Sequence, residues 1–272
     1  MPVALHDTIP GGKFRDHFLR FVRTKHAKRY RYGQVPPLTR SILAHTLLTQ
    51  DRKVAFIKNP KAGCTTVSHL LYQYDVGERL DGDIHEARAG ISGDISHWEE
   101  VLNALQTAFS FSTVRHPERR AVSAFYDFFV EEGNPQAPKH FPFIEEMGFS
   151  KKADLSYRFD VFLNYIEASI AYSKITTDRH FRPQYINLGA DIFDLSYIAC
   201  VETLAKDLRE VSDLTAYSGA SGIRNLTVTL PDIQTMSGKQ MNRTASSSFK
   251  PNRQQKAKIE DIYARDYELY GY

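Results

Sequence analysis

The alternation of apolar and polar positions divides the chain into short strands and amphipathic helices. Val54-Ala55-Phe56-Ile57 is an unbroken apolar run with β-branched and aromatic members, as expected of a central parallel strand covered on both faces. Pro60 ends the run, and Gly63 supplies the backbone freedom of a tight turn. Thr65, Thr66 and Ser68 are helix-capping residue types, followed by apolar positions at Val67, Leu70 and Leu71. Ala108–Val114 (AFSFSTV) predicts a second strand ending at Arg115, preceded by a helix over Trp98–Leu105 and followed by one opening at Pro117. Further helices are expected over Lys13–Arg31, where Phe14, Phe18, Phe21 and Val22 share one face of a basic stretch, near Thr39–Thr49, over Phe125–Glu132 and around Asp160–Ala171. Gly77–Ser96 reads as a strand edge with loops, Gly133–Pro142 as a Pro-rich loop, and Ser218–Ser248 as a lid or a linker.

The stretch Lys53–Ser68 (KVAFIKNPKAGCTTVS) carries the first candidate chemistry. A helix that starts just after a strand presents its first amides, here Gly63 to Thr66, together with the positive end of its dipole, which favours an anion. Lys61 stands on the lip of that turn. A nucleotide-binding P-loop needs two glycines flanking four residues with the lysine directly after the second; here the lysine precedes a single glycine. The second candidate is Arg115–Phe125, which reads R-x-P-x-x-R-x-x-S-x-F. Arg115 lies at the carboxyl end of its strand, where open α/β sheets bind ligands, and Ser123 about two turns into the helix, so the pair can grip a phosphate from two directions. Arg119 and Arg120 are read as structural ion-pair partners.

The net charge of +3 is too small for general nucleic-acid binding but compatible with local basic patches. Cys64 and Cys200, the only cysteines, have no metal-type spacing and imply no disulfide framework. No apolar run is long enough to span a bilayer and no signal-peptide segment is visible, so a cytoplasmic protein is expected. The basic face of Lys13–Arg31 suits a polyanion or peripheral contact with a membrane surface.

PKAGCTT resembles the 5′-phosphosulfate loop of sulfotransferases that use 3′-phosphoadenosine 5′-phosphosulfate (PAPS), in particular the membrane-associated carbohydrate family of chondroitin and heparan type, and Arg115–Phe125 resembles its 3′-phosphate motif. Thr177–Gln184 (TDRHFRPQ), Tyr197–Leu208 and the terminal Ile262–Tyr272 are similar to later segments of the same family. The low cysteine count and missing anchor are closer to a bacterial or otherwise cytosolic type than to the Golgi members.

The resemblance implies an α/β, P-loop-like three-layer fold with a central parallel sheet flanked by helices: a basic helical extension over residues 1–50 and a PAPS-dependent sulfotransferase domain over 51–272. It implies in-line transfer from PAPS to a hydroxyl of a carbohydrate or glycolipid acceptor, an anionic one included, without metal or nucleic acid. The donor contacts would be Lys58, Lys61, Ala62, Gly63, Cys64, Thr65, Thr66, Arg115 and Ser123, with Lys61 on the leaving oxygen. The base would come from between the two motifs, His85 ahead of Glu86 and His97, with His180 as a competitor. The other readings are a P-loop-type kinase and a non-catalytic nucleotide- or polyanion-binding module.

Overall fold

A run that is apolar on both faces must be covered on both, and Val54–Ile57 is fully buried at every position. The computed structural model describes residues 24–78, 80, 82, 84, 87, 90–217 and 249–272. Among these, one sheet contains β1 (Thr46–Leu48), β2 (Val54–Ile57), β3 (Ile91–Ser92), β4 (Phe109–Val114) and β5 (Tyr197–Cys200), in the order β3-β1-β2-β4-β5. The pairs β2/β4 and β4/β5 are parallel, while β1 runs antiparallel to both β2 and β3. Four strands therefore point one way.

The helices are α1 (24–34), α2 (Pro37–Leu43), α3 (Cys64–Val76), α4 (Trp98–Thr107), α5 (Pro117–Phe125), α6 (Phe141–Glu146), α7 (Leu155–Tyr172), α8 (Gln184–Leu188), α9 (Leu204–Tyr217), α10 (Arg253–Ile262) and α11 (Ala264–Tyr270). Because strand side chains alternate, Val54 and Phe56 join Leu70 and Leu71 of α3 and Leu208 of α9 on one face. Ala55 and Ile57 join Ile42 of α2 and Trp98, Val101 and Leu105 of α4 on the other. The result is the expected three-layer α/β fold. Beside the sheet a third cluster joins α5, α7 and α10 through Phe125, Phe159, Phe162 and Ile259, with Phe128, Phe129 and Phe181 from the segments between. Its rings meet at favourable tilts, as in the edge-on pair Phe125–Phe159 at 5.1 Å. No helix among the described residues is long and apolar enough to cross a membrane.

Four local expectations change. The helix expected near Thr39–Thr49 stops at Leu43, where the amide of His45 and the hydroxyl of Thr46 both bond the Ile42 carbonyl, each at 2.9 Å. The chain then turns into β1, which pairs Leu47 with Phe56, so residues read as extension are built into the sheet. The helix expected over Phe125–Glu132 widens into a π-helical turn, Tyr126–Val130, which continues α5. The Pro-rich loop contains a single 3-10 turn, Ala137–Lys139, and its last two residues open α6, with a proline in the first turn where no intrahelical N–H is needed. Helix α7 starts earlier than expected because Asp154 caps it, its carboxylate accepting from the amides of Ser156 and Tyr157. The stretch Ser218–Ser248 and the phenylalanine face at Phe14–Val22 lie outside the described residues.

The loops after β2 and β4 are held by buried polar side chains from distant segments. Arg120 on α5, 1 % exposed, donates from Nε to the Pro60 carbonyl (3.0 Å), from Nη1 to Arg182 (2.9 Å) and from Nη2 to Arg179 (2.8 Å). It is structural, as expected, but its partners are backbone carbonyls rather than a carboxylate. Arg179 donates to the carbonyls of Lys58 (2.9 Å) and Ser41 (3.0 Å). Asn59 donates to the Thr113 carbonyl (2.9 Å) and to Gln184 (3.0 Å), and Gln184 closes a two-bond pair with the backbone of Arg115. Asp266 on α11 caps α8 by accepting from the amides of Gln184 (2.8 Å) and Tyr185 (2.9 Å), and the Tyr263 hydroxyl donates to the Phe181 carbonyl (2.6 Å).

Removing the Arg120 guanidinium deletes three hydrogen bonds and leaves the Pro60 and Arg182 carbonyls without this donor, the Arg179 carbonyl keeping Asn187 Nδ2 at 2.8 Å. Arg120→Leu is expected to cost about 3 kcal/mol or more, read as a lowered urea midpoint; an unchanged midpoint would show that the three bonds carry no stability.

Candidate functional site

Strands β2 and β4 are parallel and in register from Val54↔Phe109 to Ile57↔Ser112, so the segments that leave them open on the same edge of the sheet. That edge forms a cleft of about 2000 Å³, lined by Lys58, Lys61, Gly63, Cys64, Thr65 and Thr66 from the first segment and by Arg115, Arg119 and Ser123 from the second. The two segments touch directly, Nη1 of Arg115 donating to the Lys61 carbonyl at 3.4 Å.

Helix α3 begins after Gly63, whose φ of 74° is left-handed, and has no side-chain cap. The amides of Gly63, Cys64 and Thr65 have no intrahelical acceptor by helix geometry, and the dipole adds positive potential at that point. Lys61 also has a positive φ, 65°, which costs an L-residue about 1 kcal/mol. Its ammonium pairs with Asp127 Oδ2 at 2.5 Å and sits 5.9 Å from the centre of the Phe128 ring. Ala62 points into the interior, fully buried, and its amide closes the turn onto Asn59. Lys58 is partly buried, and desolvation lowers its pKa despite the opposing effect of Cys64. Burial raises the pKa of the Cys64 thiol in spite of Lys58 and Lys61, so this residue offers an amide rather than a charge.

Arg115 is the most informative cation. Desolvation, opposed by Glu202 and reinforced by Arg119 and Arg120, pulls its guanidinium down to about 10, so it remains charged at neutral pH. No carboxylate of the described residues forms an ion pair with it; Glu202 instead accepts from the His116 amide and the Tyr272 hydroxyl, each at 3.1 Å. Its Nε is buried and without a hydrogen-bond partner. A buried cation with an idle donor is costly unless an anion arrives, so the site fits a phosphate there. Arg119, read from sequence as structural, is exposed and lines the cleft beside it.

Of the histidines, His85 lies outside the described residues, as does Glu86; between them and the chain before, Ile84 is a buried turn residue rather than a strand end. His97 is exposed at the start of α4, 3.4 Å from Glu100, and is not part of the cleft lining. His180 is in the cleft, its ring 4.9 Å from that of Phe128, on which Lys61 also rests. Asp178 accepts from His180 Nδ1 (2.7 Å), His140 Nε2 (3.2 Å) and Lys139 Nζ (2.6 Å), and His140 Nδ1 meets the Tyr165 hydroxyl at 2.9 Å. Burial works to raise the Asp178 carboxyl, but these hydrogen bonds outweigh it and hold the group far below the usual carboxylate range. A carboxylate can only accept, so Nδ1 of His180 carries the proton and Nε2 is the basic nitrogen. Desolvation lowers the His180 pKa, opposed by Asp178 and reinforced by Lys61, so the ring is neutral at pH 7. Asp178 stands two residues before His180 in the TDRHFRPQ segment, where the sequence assigns it no role. Asp127, His140 and Tyr165 had no sequence signal, because only the fold brings them to the cleft.

No group of three His, Cys, Asp or Glu side chains among the described residues is arranged to hold a metal ion. A family model described as the sulfotransferase family matches residues 44–272. No curated protein and no solved structure is significantly similar to the chain.

The Lys61–Asp127 pair competes with any anion for the ammonium. Asp127→Asn is therefore expected to tighten adenosine 3′,5′-bisphosphate binding about two- to fivefold, the range of about 0.5–1 kcal/mol, in titration calorimetry; weaker binding would mean that Asp127 orients Lys61 rather than competing for it.

Proposed function

The chain belongs to the sulfotransferase family, and on that premise we propose that it transfers the sulfuryl group of PAPS to a hydroxyl of a carbohydrate acceptor. The observation that carries this reading is the cleft in which Lys61 and Arg115, which has no ion-paired carboxylate among the described residues, meet across a single carbonyl. A nucleotide bearing phosphates at both ends needs two such grips within one molecule's reach. In this reading Arg115 and Ser123 hold the 3′-phosphate, and the amides from Gly63 to Thr66, with Lys58 and Lys61, hold the 5′-phosphosulfate.

PAPS supplies an activated sulfuryl group whose leaving group is adenosine 3′,5′-bisphosphate. Lys61 leaves Asp127 and places its ammonium on the bridging oxygen, where negative charge grows as the S–O bond breaks. The acceptor oxygen forms the new S–O bond and yields its proton to Nε2 of His180, held in the required tautomer by Asp178. His140 and Lys139 keep Asp178 ionised, so the imidazolium formed in the step has a fixed counter-charge.

Lys61→Ala and Arg115→Ala are each expected to lower transfer from labelled PAPS about 10²-fold or more with unchanged circular dichroism; wild-type turnover in either variant would overturn the scheme. His180→Ala is expected to lose about 10²-fold in kcat with bisphosphate affinity intact; if kcat is unchanged, the base role passes to His85 or Glu86.

The pH profile gives a separate check. Protonated His180 cannot accept a proton, so kcat/KM should fall as pH drops, with the limb below the usual imidazole value because burial lowers this group. Removing the carboxylate that raises the ring, in Asp178→Asn, should move that limb to still lower pH and reduce the plateau; a limb that does not move would assign the titration to another group.

A further inference from the structure

The cleft continues well past Lys61, and this half differs in chemistry from the half around Arg115. On α7, Tyr165, Ala168, Ser169 and Tyr172 recur at helical spacing and line the cleft, while Phe159, Phe162 and Leu163 on the same helix are core. The two small residues widen the space between the two tyrosines. Around the opening stand Tyr172 (88 % exposed), Phe143 (61 %), Ile175 (42 %) and Met147 (39 %). Phe143 and Met147 are four residues apart at the end of α6, which packs on α7, so both elements contribute to one apolar rim. Large apolar side chains kept in water around a single opening mark a binding surface.

The charge of this half points the same way. Asp127, Glu131, Glu146 and Asp178 line it. Lys139 is engaged by Asp178 at 2.6 Å, and the guanidinium groups of Arg179 and Arg182 are buried and bonded to carbonyls. Among the described residues of this half, a uronate-bearing or sulfated acceptor would meet carboxylates and no unengaged cation. Neutral hydrogen-bonding groups are present instead, among them Asn134, Gln136, Ser169 and Thr176.

We propose that the acceptor is an uncharged amphipathic glycoside, whose sugar hydroxyl faces His180 and Lys61 while its apolar aglycone lies against Phe143, Met147, Tyr172 and Ile175. The proposal rests on the sulfotransferase reading and names the substrate class of the same site. The sugar oxygen bonds to sulfur, the bond from sulfur to the 5′-phosphate oxygen breaks, and the hydroxyl proton goes to His180. The products are a sulfated glycoside and adenosine 3′,5′-bisphosphate.

The test uses the full chain, labelled PAPS, and the octyl, p-nitrophenyl and methyl glycosides of glucose, galactose and mannose, with a heparin-derived oligosaccharide as the polyanionic competitor. Octyl or p-nitrophenyl glycosides are expected to exceed the methyl glycoside of the same sugar about tenfold in kcat/KM, the factor that about 1.4 kcal/mol of apolar contact supplies. The octyl and aryl arms separate a lipid-like from an aromatic aglycone. The oligosaccharide should be the poorest acceptor. The double variant Phe143→Ser with Tyr172→Ser should raise KM for the preferred apolar glycoside about tenfold, leaving the thermal midpoint, the bisphosphate Kd and the methyl glycoside rate unchanged. Equal use of methyl and apolar glycosides, preference for the oligosaccharide, or an unmoved KM in the double variant overturns the proposal. If the bisphosphate binds but no apolar glycoside is sulfated, this proposal fails alone; if the bisphosphate does not bind, the sulfotransferase reading fails with it.

Discussion

A guanidinium buried among backbone carbonyls is the constraint on which the cleft depends. Arg120 satisfies the carbonyls of Pro60, Arg179 and Arg182, which belong to two segments far apart in the chain. Only arginine presents enough donors in a rigid fork to bond three such acceptors, and a carbonyl left unpaired in the interior carries a full desolvation penalty. The turn it supports includes Lys61 in a left-handed backbone conformation, so the loop is held against a local preference to relax. Arg179, Asn59 and Gln184 tie the same turn to the end of β4. The segments that leave β2 and β4 are therefore parts of one rigid edge rather than two independent loops.

The cleft divides electrostatically along its length. Around Arg115 the positive charge is in excess, because a largely desolvated guanidinium has no ion-paired carboxylate among the described residues and a helix start adds its dipole. Past Lys61 the lining is acidic and apolar, with its histidines oriented by Asp178. Lys61 stands at the boundary, paired with Asp127 from the acidic side while its backbone is bonded to Arg115 from the basic side. A donor that carries charge and an acceptor that does not would be sorted by this division before any chemistry occurs. The π-helical turn after α5 belongs to the same design, since Asp127 lies within it and reaches Lys61 while Phe128 and Phe129 stay in the core.

The segments of the chain similar to later parts of the family owe their pattern largely to this scaffold. In TDRHFRPQ, Arg179, Arg182 and Gln184 are clamps on backbone groups, while Asp178 and His180 face the cleft. In the closing segment Tyr263 and Asp266 bond Phe181 and the start of α8. A loose resemblance over such stretches is physically reasonable, because carbonyl-directed clamps need a donor type and a position but little else.

What could be read from the letters is what physics makes local. The all-apolar run at Val54–Ile57, the glycine that admits a left-handed turn, the capping residues after it and the Arg–Pro pair closing β4 each act within a few neighbouring residues, so the three-layer α/β fold followed from them. Tertiary structure decided the remainder. Strand β1 forms because β2 has an edge to fill, which no helical or strand propensity in Thr39–Thr49 reports. Arg179 reaches a carbonyl 138 residues away, and Asp127, His140 and Tyr165 come to the cleft on three different elements. Such partners have no fixed spacing in the chain, since burial, charge and hydrogen-bond satisfaction are settled by whatever the fold brings within a few ångströms.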